Sequence, residues 1–128
     1  MSLFNRFLET ISSMFPSGLT GKKTKQLLAL NPNKIYVENV RSILGVSHGE
    51  AVRILETAVR QGAFKKLVEI QCPDGTVVAS AEKEEDLPHT VHCWKEDDEG
   101  NLEEGYLDSQ SLRKNTFYRV NERERAAV

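Results

Sequence analysis

Apolar side chains recur at helical spacing near the start of the chain, where Leu3, Phe4, Phe7, Leu8, Ile11, Met14 and Phe15 are separated by Asn5, Arg6, Glu9, Thr10, Ser12 and Ser13. The pattern predicts an amphipathic helix over residues 1–16, stopped by Pro16 and Gly18. A face this rich in phenylalanine needs a cover, either its own domain, a partner protein or a second copy. A membrane surface is the weakest of the covers, because Arg6 is the only cationic side chain in the segment. Residues 17–25, SGLTGKKTK, read as a polar, basic linker, and residues 26–30 as a short helix. Asn31-Pro32-Asn33 stops it, since a residue before proline avoids helical geometry. Residues 34–37 contain β-branched and aromatic side chains and predict a short strand, followed by a helix over 38–44 with Val37, Val40, Ile43 and Leu44 inward.

The strongest local signals come next. Gly45-Val46-Ser47 supplies a sharp turn, an apolar plug and a helix cap, and Glu50 three residues after Ser47 completes a capping box. The next helix runs over residues 48–61, burying Ala51, Val52, Ile54, Leu55, Ala58 and Val59, with Gly62 as its terminator. Residues 64–71 and 76–80 are rich in Val, Ile and Leu and flank Pro73-Asp74-Gly75, which predicts a two-stranded hairpin.

Helix, GVS turn, long helix ending in Gln61-Gly62 and strand hairpin, in that order, resemble a winged helix-turn-helix domain over residues 24–80. The resemblance implies that the helix over 47–61 is a recognition helix for the DNA major groove, or, as in many winged helices, that the fold binds proteins. The tail resembles a degenerate zinc ribbon. Cys72-Pro73-Asp74-Gly75, Glu85-Asp86-Leu87-Pro88, Cys93-Trp94-Lys95-Glu96 and Phe117-Tyr118-Arg119-Val120 stand in the order of such a module, with half of its cysteines lost. That likeness implies an exposed acidic hairpin loop over 94–108 and a closing strand over 115–120. The expected fold is therefore α+β: a winged helix-turn-helix core (26–80), an N-terminal amphipathic docking helix (1–16), a linker (17–25) and a C-terminal ribbon-like β-hairpin extension (81–128).

Charge sharpens this division. Residues 1–70 carry ten cationic side chains against five anionic, and the remainder seven against fourteen, which together give the net charge of -2. Such a chain offers a basic face to phosphates, or two faces of opposite sign to protein partners. With two cysteines, no cleavable secretory pattern and no apolar run of membrane-spanning length, cytoplasmic residence with reduced thiols is expected.

Candidate chemistry is sparse. Cys72 and Cys93 with His89 and His92 make a set of four zinc donors on paper, but adjacent His92 and Cys93 point to opposite faces of a strand, so no metal and no cofactor is expected. A disulfide between the cysteines is conceivable on neighbouring strands, with the compartment arguing against it. No Gly-rich phosphate loop, His-Glu-x-x-His or nucleophile elbow occurs, and the chain reads as a non-enzyme with no catalytic residues. For nucleic acid the candidates are Lys22, Lys23, Lys25, His48, Arg53, Thr57, Arg60, Lys65 and Lys66. Glu50 and Glu56 lie on the same stripe as Arg53 and Arg60 and are spaced to pair with them, which turns a DNA-reading face into a charge-mixed one. The preferred reading is an adaptor that binds a partner protein or forms a homo-oligomer through Leu3, Phe4, Phe7, Leu8, Ile11 and Phe15. A winged-helix DNA-binding regulator is the alternative.

Overall fold

The computed structural model describes residues 7–9, 11 and 21–121, and within them the chain is mixed α+β with two small antiparallel sheets. The described residues fall into two units. One takes those up to Lys66 together with those from Phe117 onward, and the other is Leu67–Thr116. The expected boundary at residue 80 is thus displaced, because the first strand is long enough to place Phe64 in one hydrophobic cluster and Ile70 in another.

In the helical unit, α1 (Gly21–Leu28) begins inside the stretch expected to be a linker, so Lys22, Lys23 and Lys25 lie on a helix. Lysine, glutamine and leucine are good helix formers, and Leu27 anchors the segment by full burial. Helix α2 (Val37–Leu44) starts where the Asn39 side chain accepts the Tyr36 backbone N–H at 2.9 Å. It stops at Gly45, whose φ of 67° is in the left-handed region and whose N–H reaches the Arg41 carbonyl. Helix α3 (His48–Arg60) opens on Ser47, whose Oγ accepts the Glu50 N–H at 3.2 Å, as the cap signal predicts. Its buried face is Ala51, Ile54, Leu55 and Ala58. The strand expected over 34–37 shrinks to a single antiparallel bridge between Ile35 and Tyr118.

Phe7 and Ile11 are fully buried in this core, and the Phe7 ring lies 4.4 Å from that of Phe64. Leu8 is half-buried against the same cluster. This corrects the expectation that Phe7, Leu8 and Ile11 form a free docking face: the domain itself covers them. Leu3, Phe4 and Phe15 lie outside the described residues.

The strands are β1 (Phe64–Gln71), β2 (Val77–Ala81), β3 (Thr90–Glu96), β4 (Leu102–Asp108) and β5 (Arg113–Val120). One sheet has the order β2-β1-β5 and the other is the hairpin β3-β4. The β1–β2 turn is the predicted one. Gly75 has φ 91°, its N–H reaches the Cys72 carbonyl at 2.8 Å, and the Asp74 side chain accepts the Thr76 N–H. The acidic hairpin loop expected over 94–108 is a hairpin, but most of it is strand: it takes in the end of β3 and all of β4. Its turn is held by Asp97, whose carboxylate accepts the N–H groups of Glu99 and Asn101. The charge run concealed turn chemistry with a two-residue period on either side of it.

Cys72 and Cys93 are joined by a disulfide, with their Cα atoms 5.7 Å apart, at the centre of a cluster with Ile70, Leu87 and Val91. This overturns the expectation of reduced thiols. The sulfurs that a zinc ribbon would commit to metal are committed to each other. Such a bridge persists in oxidising surroundings, so the expectation of a reducing compartment loses the support of its thiols. Among the described residues, no helix is long and apolar enough to cross a membrane.

Candidate interaction surfaces

Two solvent-facing surfaces merit comparison, the outer side of α3 and one face of the β3–β4 hairpin. Helix α3 presents His48, Glu50, Arg53, Glu56, Thr57 and Arg60 because its apolar residues fill the opposite side. Its charges are engaged locally. Arg53 donates to Glu50 at 2.8 Å, Arg60 donates to the Thr57 hydroxyl at 3.0 Å, and that hydroxyl donates to the Arg53 carbonyl. His48 lies 3.7 Å from Glu38, which also accepts from Arg41. The expected pairing of Glu50 with Arg53 is present.

Glu56 is bound differently from the expectation of an Arg60 partner. Lys66 lies 2.6 Å from its carboxylate, and the buried Tyr118 hydroxyl donates to the same oxygen at 2.9 Å. Partial burial raises the Glu56 pKa, but the Lys66 and Tyr118 hydrogen bonds and the Lys66 and Arg60 charges outweigh it and hold the carboxyl below its ordinary value. Burial and then the Glu56 carboxylate push the Tyr118 phenol well up, so at neutral pH donor and acceptor are fixed. A carboxyl with a depressed folded-state pKa contributes stability that is full above its unfolded value and is lost as pH falls through the folded one. Acid titration of the urea midpoint is therefore expected to show a loss below the usual carboxylate range that Glu56→Gln reduces. An identical pH profile in the variant would remove Glu56 from that role.

The remaining cationic candidates are dispersed. Lys22 and Lys25 are exposed on α1, Lys23 donates to the Leu44 carbonyl at the end of α2, Lys65 is half-buried on β1, and Lys66 serves Glu56. Lys23 thus sits where a helix C-terminus favours a cation.

Sequence reasoning missed the second surface. The register of the hairpin sets His92 opposite Tyr106, Trp94 opposite Glu104 and Glu96 opposite Leu102. Alternation puts these six on one face, and all six are exposed, Trp94 to 46%, Leu102 to 68% and Tyr106 to 78%. His92 packs edge-on to both rings, at 5.3 Å from Tyr106 and 6.2 Å from Trp94, and lies 3.4 Å from the Glu104 carboxylate. The opposite face carries Val91, Cys93 and Leu107 into the disulfide cluster, which holds the aromatic face outward. The signal was present in the alternation of Leu102, Glu104 and Tyr106 with Glu103, Gly105 and Leu107. The unit that carries it is acidic: Leu67–Thr116 holds thirteen anionic against four cationic side chains, a net of -9.

A depression of about 430 Å³ in the same unit is lined by Glu84, Glu85, Leu87, His89, Ser109, Gln110 and Lys114. Lys114 is turned to the Ser109 carbonyl there, at 2.9 Å. Among the described residues no group of three or more His, Cys, Asp or Glu is arranged to hold a metal ion. Comparison with protein-family models, with curated proteins and with solved structures gives no match for this chain.

Proposed function

We propose that this chain is a non-enzymatic winged-helix interaction module whose partner is a protein. The observation that carries the reading is the internal pairing of the charges on α3, the helix that a DNA-binding winged helix would place in the major groove. Affinity for duplex DNA comes from cations free to displace counterions at phosphates. Arg53, Arg60 and Lys66 are engaged by Glu50, Thr57 and Glu56, and a unit with a net charge of -9 repels the polyanion. Two helices joined by the Gly45–Ser47 turn and succeeded by the β1–β2 hairpin support the winged-helix part of the reading. The burial of Phe7 and Ile11 moves the contact surface away from the N-terminal helix, and the exposed aromatic face of β3 and β4 takes its place.

Fluorescence anisotropy with random duplex DNA tests this. No salt-dependent binding is expected at physiological ionic strength, and Arg53→Glu should change nothing. Micromolar binding that weakens steeply with salt and disappears in Arg53→Glu would overturn the reading in favour of a DNA-binding regulator.

A further inference from the structure

We propose that the open edge of β4 takes up an extended, arginine- and lysine-bearing segment of a partner protein as a third strand of the hairpin sheet. The inference deepens the proposed function and rests on its choice of a protein partner. Strand β4 has β3 on one side, and on the other carries no strand among the described residues. All seven of its residues are exposed or half-exposed. An edge strand presents a row of unpaired backbone donors and acceptors, which is the template used when a peptide is added to a sheet.

The side chains beside that edge define which peptide fits. A third strand lies about 4.8 Å from β4, with alternate residues projecting to opposite faces. On one face they meet Leu102, Glu104 and Tyr106, with Trp94 one strand further in and within the span of an arginine. A guanidinium there stacks on the exposed rings and forms a charge-assisted bond with Glu104. On the other face they meet Glu103 and a notch of about 220 Å³ at Gly105, where the absent side chain leaves space beside Cys93 and Leu107. Cations at every second position therefore share one face of the added strand and meet Glu104 and the Tyr106 ring there, while the small residues between them face Glu103 and the Gly105 notch. A second copy of β4 fits poorly, because it brings a strand carrying Glu103, Glu104 and Asp108 and no cation against an identical acidic strand. Phosphate polymers and anionic membranes are repelled by the same carboxylates.

The test uses the full chain and a fluorescein-labelled peptide alternating arginine and threonine over the length of β4. Controls replace arginine by glutamate, or threonine by proline to remove backbone donors. The arginine peptide should bind, the glutamate peptide should not, and the proline peptide should bind more than about tenfold more weakly because the added ladder is lost. Tyr106→Ala should weaken binding about fivefold. Glu104→Lys should weaken it more than about tenfold by replacing attraction with repulsion. Both positions are exposed, and circular dichroism of each variant checks that the fold stands.

The proposal is overturned by absence of binding to the arginine peptide, by equal binding of the proline peptide, or by unchanged affinity in both variants. Self-association of the free protein that Glu104→Lys disrupts would make a second copy the occupant and also overturn it. Salt-dependent duplex DNA binding in the anisotropy assay refutes the protein-partner reading, whatever the peptides do, so the two failures are distinct.

Discussion

Phe7→Ala is expected to lower the stability of the helical unit by about 3–5 kcal/mol, the cost of emptying a fully buried aromatic site. The Phe7 ring is 1% exposed and packs 4.4 Å from the ring of Phe64, at the start of β1. Ile11, one turn on, is wholly buried in the same cluster, and Ile11→Ala should cost about 2–5 kcal/mol. Glu9, exposed on the same helical segment, is the matched control, and Glu9→Ala should stay within about 0.5 kcal/mol. Urea unfolding monitored by far-ultraviolet circular dichroism measures all three. A midpoint for Phe7→Ala as close to wild type as that of Glu9→Ala would show that the segment does not fill the core. A truncation that removes Phe7 and Ile11 should likewise unfold the helical unit.

The second large effect concerns the bridge in the other unit. Cys72 and Cys93 are separated by 21 positions in the chain. Closing a loop of that size restricts the unfolded ensemble by an amount worth about 3 kcal/mol. Cys72→Ala with Cys93→Ala, or addition of a reductant to the natural chain, should therefore lower the unfolding free energy by about that amount. The double variant should be indifferent to reductant. Two titratable thiols in the unfolded, unreduced protein, or an unfolding curve that reductant does not move, would contradict the bridge. The hairpin face should suffer with it, because Cys93 lies on the inner side of the strand that carries His92 and Trp94 outward.

How legible each feature was in the sequence depends on how local its cause is. The Ser47 cap, the Gly45 turn and the Pro73-Asp74-Gly75 reversal are each decided within four or five residues, and each stands where expected. The i,i+3 pair of Glu50 and Arg53 was legible for the same reason. Glu56 was not, since Tyr118 comes from 62 positions away and Lys66 from the strand beyond the helix. The Phe-rich helix announced that it needed a cover, but nothing in its own spacing identified Phe64. A hairpin was expected in the C-terminal extension, but the limits of β3 and β4 were hidden by composition, because Glu103 and Glu104 weaken the apolar alternation by which a half-buried strand is recognised. On the exposed face of such a strand the carboxylates are part of the pattern. The disulfide was masked by a compartment argument that took precedence over the spacing of the two cysteines.

The division of the chain also bears on how it is made. Leu67–Thr116 is continuous in sequence, while the helical unit draws on chain from both sides of that segment. Tyr118 and Val120 are core residues of the helical unit, and Tyr118 exchanges both of its backbone hydrogen bonds with Ile35. During synthesis α1, α2 and α3 emerge well before Tyr118 and Val120, so their core stays incomplete until β5 has been made. Leu67–Thr116, by contrast, is continuous in the chain, so it draws on a single stretch of sequence.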